Sequence, residues 1–402
     1  MAEKNSLFEV FEKVIGEYFV NSRIRILYVI TNCQKTGPTQ QLLNIIRNLD
    51  KEAFEARVIT VYDELQEAES LLSEFKKELP VTCIPTSKAR MMTGAVSEIK
   101  DYIKEYSPNV IHSSGVFPDY MISRLKTGKQ VLTSRNFVYD DYVSKYGKIR
   151  GNIMAKMHLH AMMHTRYARA CSESLNDIYK EKLGIELSVI RNGVDIDKYY
   201  PCDLSNKEQL RKELELPQNA TIIVYGAGFN ERKNHEFLLR SYVESKCFTS
   251  TVLLLLGRGQ FFDKYKGMYS KYSNILMLGS TTQMNEYLRA SDYYVSTSKS
   301  EGLPNGVIEA LASGLPVVLS DIPQHGEILS VDSGIGYLYR SGDARDFSNK
   351  LDKLLAGNKN EMSTRSRIAA EEYFDARNMS QNYQDMYKLI AQDNQNWDCY
   401  GD

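Results

Sequence analysis

The side chains best fitted by type and spacing to do chemistry are two carboxylates, Glu301 and Glu309, and two adjacent cations, Arg232 and Lys233. Glu301 follows the apolar run Tyr293–Ser296 and lies in Lys299–Pro304, a stretch of turn-forming residues. Asn305 reads as the N-cap of a helix through Ala312, which sets Glu309 about one turn inside it. A helix start offers free backbone N–H groups and a positive dipole end, both suited to a phosphate. Gly302 and Gly306 would let the backbone approach a ligand. A carboxylate on the first turns can then reach past phosphates to ribose hydroxyls. Arg232 and Lys233 stand where the apolar run Thr221–Gly226 gives way to a helix over His235–Glu244. Two cations there would balance the charge of a departing diphosphate. Each feature also has a plainer reading, since any strand–helix crossover can carry two glutamates and an Arg-Lys pair is commonly solvated.

Such groups meet only if a parallel sheet brings strand ends together. Tyr293–Ser296, the helix from Asn305 and the run Leu315–Leu319 make a strand–helix–strand unit, with Gly314 and Pro316 ending the helix and a loop at Asp321–Gly326. In open α/β sheets ligands bind outside the carboxyl ends of the strands. The same alternation fills the chain. Strands are expected at Arg25–Ile30, Arg57–Val61, Val81–Ile84, Val110–His112, Val131–Thr133, Ala170–Ser172 and Ser188–Ile190, then at Thr221–Gly226, Thr251–Gly257 and Ile275–Leu278. Helices are expected at Gln40–Leu49, Gly94–Tyr106, Asn152–Ala170 and Glu173–Leu183, and late in the chain at Asp343–Ala356, Met362–Phe374 and Asn378–Ala391. Residues 392–402 read as frayed, and Asn136–Gly151 as a polar, aromatic loop. Leu7, Phe8, Phe11, Ile15 and Phe19 recur at helical spacing, so an added helix covers residues 1–20; it packs on the body, lies on a membrane surface or pairs with a second copy.

A chain of 402 residues with 43% apolar and 25% charged residues and a net charge of −1 suits two soluble domains and offers no field for nucleic acid. The six cysteines are scattered without a C-x-x-C pair, which disfavours zinc and redox motifs and suits a reduced, cytoplasmic protein. Neither an apolar run of spanning length nor a secretory leader is evident. His160 and His164 lie i, i+4 but lack further ligand types on their face, so the histidine- and arginine-bearing segment reads as a solvated face or a basic face toward anionic lipid or a lipid diphosphate. Gly37, between the first strand and helix, lacks a G-x-G-x-x-G context, which disfavours a dehydrogenase.

The order E-G-L-P-N-G-V-I-E-A-L-A-S-G-L-P-V-V from Glu301 resembles the signature of the retaining glycosyltransferases of family four, capsule or surface-polysaccharide type. The resemblance implies an α/β chain of GT-B fold: two facing Rossmann-like domains with a C-terminal helix crossing back to the first. Its boundaries fall at an additional N-terminal helix over 1–22, an acceptor-binding domain over 23–195, a nucleotide-sugar-binding domain over 196–375, and the returning helix and tail over 376–402. It implies that Arg232 and Lys233 grip the donor diphosphate, that Glu301 contacts the donor sugar, that Glu309 holds the ribose, and that Gly302, Leu303, Pro304 and Asn305 form the tight loop. Gly37, Gly257 and Leu278 map to turns near the diphosphate and the nucleobase. Arg135 falls where the family usually has a His; an Arg can bind phosphate but cannot act as a general base. Arg191 falls in the N-G-V-D turn region where Pro is common.

The implied reaction moves a sugar with retention from a nucleotide-diphosphate sugar, UDP-sugar before GDP-mannose, to a saccharide or lipid-linked acceptor, without cofactor or metal. The setting is cell-surface polysaccharide biosynthesis at the cytoplasmic face of the membrane, with peripheral membrane contact and a homodimer left open. The alternatives are a non-catalytic nucleotide-sugar-binding subunit and a GT-B sugar-nucleotide epimerase.

Overall fold

The computed structural model describes residues 23–64, 69–85 and 95–393; the helix expected over 1–20 and most of the frayed tail lie outside them. The strands are β1 Ile24–Ile30, β2 Phe54–Thr60, β3 Val81–Cys83, β4 Val110–Ser114, β5 Gln130–Ser134, β6 Tyr167–Ala170, β7 Ser188–Val189, β8 Thr221–Gly226, β9 Thr251–Leu256, β10 Ile275–Gly279, β11 Tyr293–Ser296, β12 Val317–Ser320 and β13 Gly336–Tyr339. They form two sheets, ordered β3-β2-β1-β4-β5-β6-β7 and β10-β9-β8-β11-β12-β13. The pairings that flank the central strands β1 and β8 are parallel. Strands covered on both faces need continuous apolar sequence. β9 reads TVLLLL and is buried throughout, and β1 reads IRILYVI with its last five residues buried.

In the second sheet the chain starts at β8, steps outward to β10, then returns to the other side of β8 and continues to β13. Its direction of progress therefore reverses between β8 and β11. The carboxyl ends of these two strands diverge there and leave a crevice, the usual ligand position in such sheets. The first sheet reverses in the same way between β1 and β4.

The chain divides into two compact units. One holds residues up to Leu132, Met157–Tyr167 and the chain from Gln381; the other holds Thr133–Lys156 and Ala168–Ser380. In the first, Leu27, Val29, Ile59, Ile111, Met121 and Ile122 form a buried cluster. The last helix, Ala376–Gln392, returns to this unit as expected. Its Tyr387 hydroxyl lies 2.6 Å from His112 Nδ1, the Tyr383 ring stacks on that imidazole, and Gln384 bonds the backbone at both Asn48 and Asp50.

Several expected boundaries move. The stretch Asn136–Gly151 is mostly helical: helix runs over Val138–Met163, broken at Gly147, and strand β6 follows it. Phe137 and Val138 anchor its start on the buried Tyr179, by a ring contact of 5.2 Å and by the Val138 N–H donating to the Tyr179 hydroxyl at 3.2 Å. Asp321–Gly326 is not a loop, because a helix over Pro323–Val331 begins within it, with Pro323 in the first turn, where its missing N–H costs nothing. The first helix starts at Gly37 rather than Gln40, capped by the Thr36 hydroxyl. Asn305 is the first residue of its helix and Pro304 holds the cap position without a side-chain bond, because the Asn305 amide oxygen accepts from Asn192 instead. Two helices not expected from the sequence, Leu72–Glu78 and Val116–Ser123, fill crossovers of the first unit.

Candidate active site

The order of the second sheet explains why residues far apart in sequence become neighbours. Parallel strands put all carboxyl ends on one edge, so Leu278 near the end of β10, and Gly257, the Arg232–Lys233 turn and Glu301 after β9, β8 and β11, stand in that lateral order. The last two flank the crevice. Arg232 donates to Glu301 Oε2 at 2.6 Å and to the Ser300 carbonyl at 2.9 Å, and the Lys233 ammonium bonds Glu301 Oε1. The cationic turn is fixed to the end of β11 from behind. The Lys299 N–H donates to the Arg232 carbonyl at 2.8 Å, and the Thr297 and Tyr225 hydroxyls each donate to the Lys233 carbonyl at 3.1 Å.

Glu301 is only 7% exposed. Burial opposes its ionisation, but Lys233, Arg232 and hydrogen bonds outweigh that cost and hold its carboxyl down at about 2. Two cations against one buried carboxylate leave a local surplus of positive charge. Next to it the helix Asn305–Ala312 begins without a side-chain cap. An anion set there meets both the surplus charge and the helix dipole. Deeper in the unit, His325 is fully buried, its Nδ1 is 2.9 Å from the Ser320 carbonyl, and burial pulls it to about 4, so it is a neutral structural group.

The Gly302 loop is gripped from three sides. A Cβ at Gly302 would stand 1.8 Å from the Arg135 carbonyl oxygen, so only glycine allows that approach. The Ser172 hydroxyl donates to the Gly302 carbonyl at 2.7 Å. The buried Asn192 donates through Nδ2 to the Leu303 carbonyl and to Asn305 Oδ1, both at 3.1 Å, while its Oδ1 accepts from the Arg135 guanidinium. Arg135 is thus brought to the same loop as Glu301, through Asn192. Glu309 lies in the following helix, and the Tyr199 hydroxyl is hydrogen-bonded to it; burial, then the charge of Glu309, raises that phenol well above its ordinary value. Gly257 takes φ +130° just past β9, and Leu278 is 45% exposed on β10. Gly37 belongs to the first unit, at the helix start after β1.

Asn192 and Tyr199 are the members that sequence reasoning missed. Asn192 stands in the N-G-V-D turn, and its contacts are with residues 57 and more than 110 positions away. Arg191, where Pro is common, bonds Glu327 at 2.8 Å, and Glu327 in turn accepts from the Glu173 and Ser174 N–H groups at the start of a neighbouring helix. Asn192→Ala strands the buried Leu303 carbonyl, and an unsatisfied buried acceptor costs about 1–3 kcal/mol. Urea unfolding of the variant should show a loss of that size; a loss within experimental error would mean that water or a shifted loop replaces the amide.

Two parallel sheets, each with a reversal at its centre, define a GT-B-type architecture, and a cation pair meets a helix start at the second reversal. A profile described as Glycosyl transferases group 1 matches residues 206–372, and one described as Glycosyltransferase Family 4 matches residues 36–198. Between them they span most of the chain, and the chain belongs to the family-four glycosyltransferases. It is 20% identical over 375 residues to the O-antigen biosynthesis glycosyltransferase WclY of Escherichia coli, covering 91% of this chain and 99% of that one. It is 27% identical over 185 residues to the UDP-Gal:alpha-D-GlcNAc-diphosphoundecaprenol alpha-1,3-galactosyltransferase of the same organism, covering 44% of this chain and 46% of that one. Among solved structures, sucrose-phosphate synthase of Thermosynechococcus elongatus superposes with a TM-score of 0.76 at 16% identity, covering 92% of this chain and 99% of that one. HepE of Anabaena, solved in complex with UDP, superposes with a TM-score of 0.74 at 16% identity, covering 91% and 100%. At that identity these structures speak to the fold, and the fold is GT-B.

Proposed function

We propose that this protein is a retaining, metal-independent transferase that moves a sugar from a UDP-sugar to a saccharide or lipid-linked acceptor in cell-surface polysaccharide biosynthesis, on the cytoplasmic face of the membrane. The observation that carries this reading is the Arg232–Lys233 pair on the buried, ionised Glu301 beside an uncapped helix start. The protein itself supplies the positive charge that a departing diphosphate needs, held rigidly before the reaction begins. That is why no metal is required of the mechanism. In this reading Arg232 and Lys233 take the diphosphate, Glu309 takes the ribose hydroxyls, Glu301 faces the donor sugar while orienting both cations, and Arg135 adds a charge at the phosphates. Gly257 and Leu278 border the nucleotide. The UDP preference is supported by the UDP-galactose donor in one relative's name and by the UDP bound in one structural neighbour; GDP-mannose is the second choice.

The departure at Arg135 favours one other reading, a donor-binding subunit without turnover, because the imidazole usual at that position is absent. A melting panel with UDP-, GDP-, ADP- and dTDP-sugars separates the outcomes. A ligand at a hundred times its Kd stabilises by about 2.7 kcal/mol. We expect the shift with UDP-sugars only, its loss in Glu309→Ala, and sugar transfer that survives EDTA and gives an anomeric centre of unchanged configuration by proton NMR. A UDP shift without transfer to any saccharide or lipid-linked acceptor would establish the binding-only reading.

A further inference from the structure

The helix over Val138–Met163 folds back on itself. Gly147 takes φ 76° and ψ 171°, values no helix contains, and the chain turns so sharply there that Gly151 lies against the backbone of Tyr142 and Val143. A Cβ at Gly151 would stand 2.5 Å from the Tyr142 carbonyl oxygen and from the Val143 Cα. In a straight helix residues eight apart are about 12 Å distant. The result is a hairpin whose tip, residues 144–150, is exposed at every position.

The tip reads Ser-Lys-Tyr-Gly-Lys-Ile-Arg. Ile149 is 81% exposed and Tyr146 is 50% exposed, and Ile153, one turn beyond Ile149, is 55% exposed. Three large apolar side chains exposed within eight residues of one hairpin call for a partner. Lys145, Lys148, Arg150 and Lys156 surround them. Lys145 pairs with Asp141, whereas Lys148, Arg150 and Lys156 have no carboxylate partner among the described residues. No Asp or Glu occurs from Tyr142 to Ser172, while six Lys and Arg do. The segment is therefore uniformly cationic around an apolar point. A protein partner would have to match both; a bilayer with anionic headgroups over an acyl boundary presents both in the right order, charge outside and hydrocarbon beneath.

We infer that the hairpin tip docks this protein on anionic lipid, with Tyr146 and Ile149 entering the headgroup–acyl boundary and Lys148, Arg150 and Lys156 facing the headgroups. This rests on the hairpin alone and uses none of the residues assigned to the donor, so it survives or fails independently of the proposed reaction.

The test uses the full chain and sedimentation with vesicles free of any saccharide acceptor, either pure phosphatidylcholine or a mixture with phosphatidylglycerol. The expected result is binding to the mixed vesicles, weakened by salt, and little binding to the neutral ones. Each lost cation near an anionic surface lowers partitioning about fivefold, so Lys148→Gln/Arg150→Gln should lower it about 25-fold. Tyr146→Ser/Ile149→Ser should lower it at least tenfold with the salt dependence unchanged. Both pairs are exposed, so a melting temperature unchanged from wild type without ligand serves as the folding control. Equal binding to neutral and anionic vesicles would overturn the inference, as would variants that sediment like the wild type, which would move the docking role to another part of the chain. Retention on an acidic protein or a nucleic acid with no vesicle binding would overturn it too.

Discussion

Lys233→Met is expected to lower turnover about 10²–10³-fold, the range found when one preorganised charge-stabilising donor is removed from a reacting centre. Lys233 is mostly buried, and its ammonium is held on Glu301 rather than free to search for a ligand. The diphosphate gains charge as the glycosidic bond to it breaks. An interaction that strengthens along that path shows in kcat, while one already complete in the bound donor shows in KM. The reading therefore predicts that kcat falls far more than donor affinity, because Arg232 and the helix start remain to hold the ground-state phosphates. Lys233→Arg should recover only part of the rate, since a planar fork cannot replace a compact ammonium in a site this tightly bounded. Initial rates at saturating donor, with a UDP melting shift to certify the fold, make the measurement. A kcat within fivefold of wild type would remove Lys233 from the chemistry and leave it a structural partner of Glu301.

The loop that bears Glu301 was legible in the sequence because its information is local. A strand, a turn and a helix follow one another without interruption from Tyr293 to Ala312, and parallel pairing then fixes which edge they share. The Arg232–Lys233 turn was legible for the same reason: β8 ends, two cations follow, a helix begins. What the sequence hid depends on partners remote in the chain. Asn305 has the chemistry of a cap, but Asn192 claims its amide, and nothing near Asn305 signals that. The helical start at Val138 has weak intrinsic helix formers, and it is held by Tyr179, some forty residues on. Pro323 and Gly326 read as loop residues because their local preference is real; Pro323 is simply tolerated at a first helical turn. Arg135 gives the mixed case. The sequence shows the departure from His, but only the structure shows a guanidinium tied through Asn192 to the loop that bears Glu301.

That coupling of Glu301 to its cations has a second consequence, in the response to acid. The Glu301 carboxyl stands at about 2 in the folded protein against an ordinary 4.5. A carboxyl whose folded value is depressed contributes its full stability above its unfolded value, and the contribution disappears as pH falls through the folded value. The window is thus from about pH 4.5 down to about pH 2, and the whole contribution is about 3 kcal/mol, of which about 2 kcal/mol is gone by pH 3. Glu301→Gln cannot titrate. At pH 6 it should be less stable than wild type by about 3 kcal/mol, because two mostly buried cations lose their counter-charge. As the pH is lowered to 3, that gap should close by about 2 kcal/mol, since only the wild type loses a contribution from this position. Urea unfolding of both proteins at a series of pH values reads the gap directly, and other acid-titrating carboxylates, Asp292 among them, cancel in the difference. A gap that stays constant from pH 6 to pH 3 would mean that Glu301 carries no special stabilisation when folded. The surplus charge beside the helix start would then have to be held in place by the turn that joins it to β11.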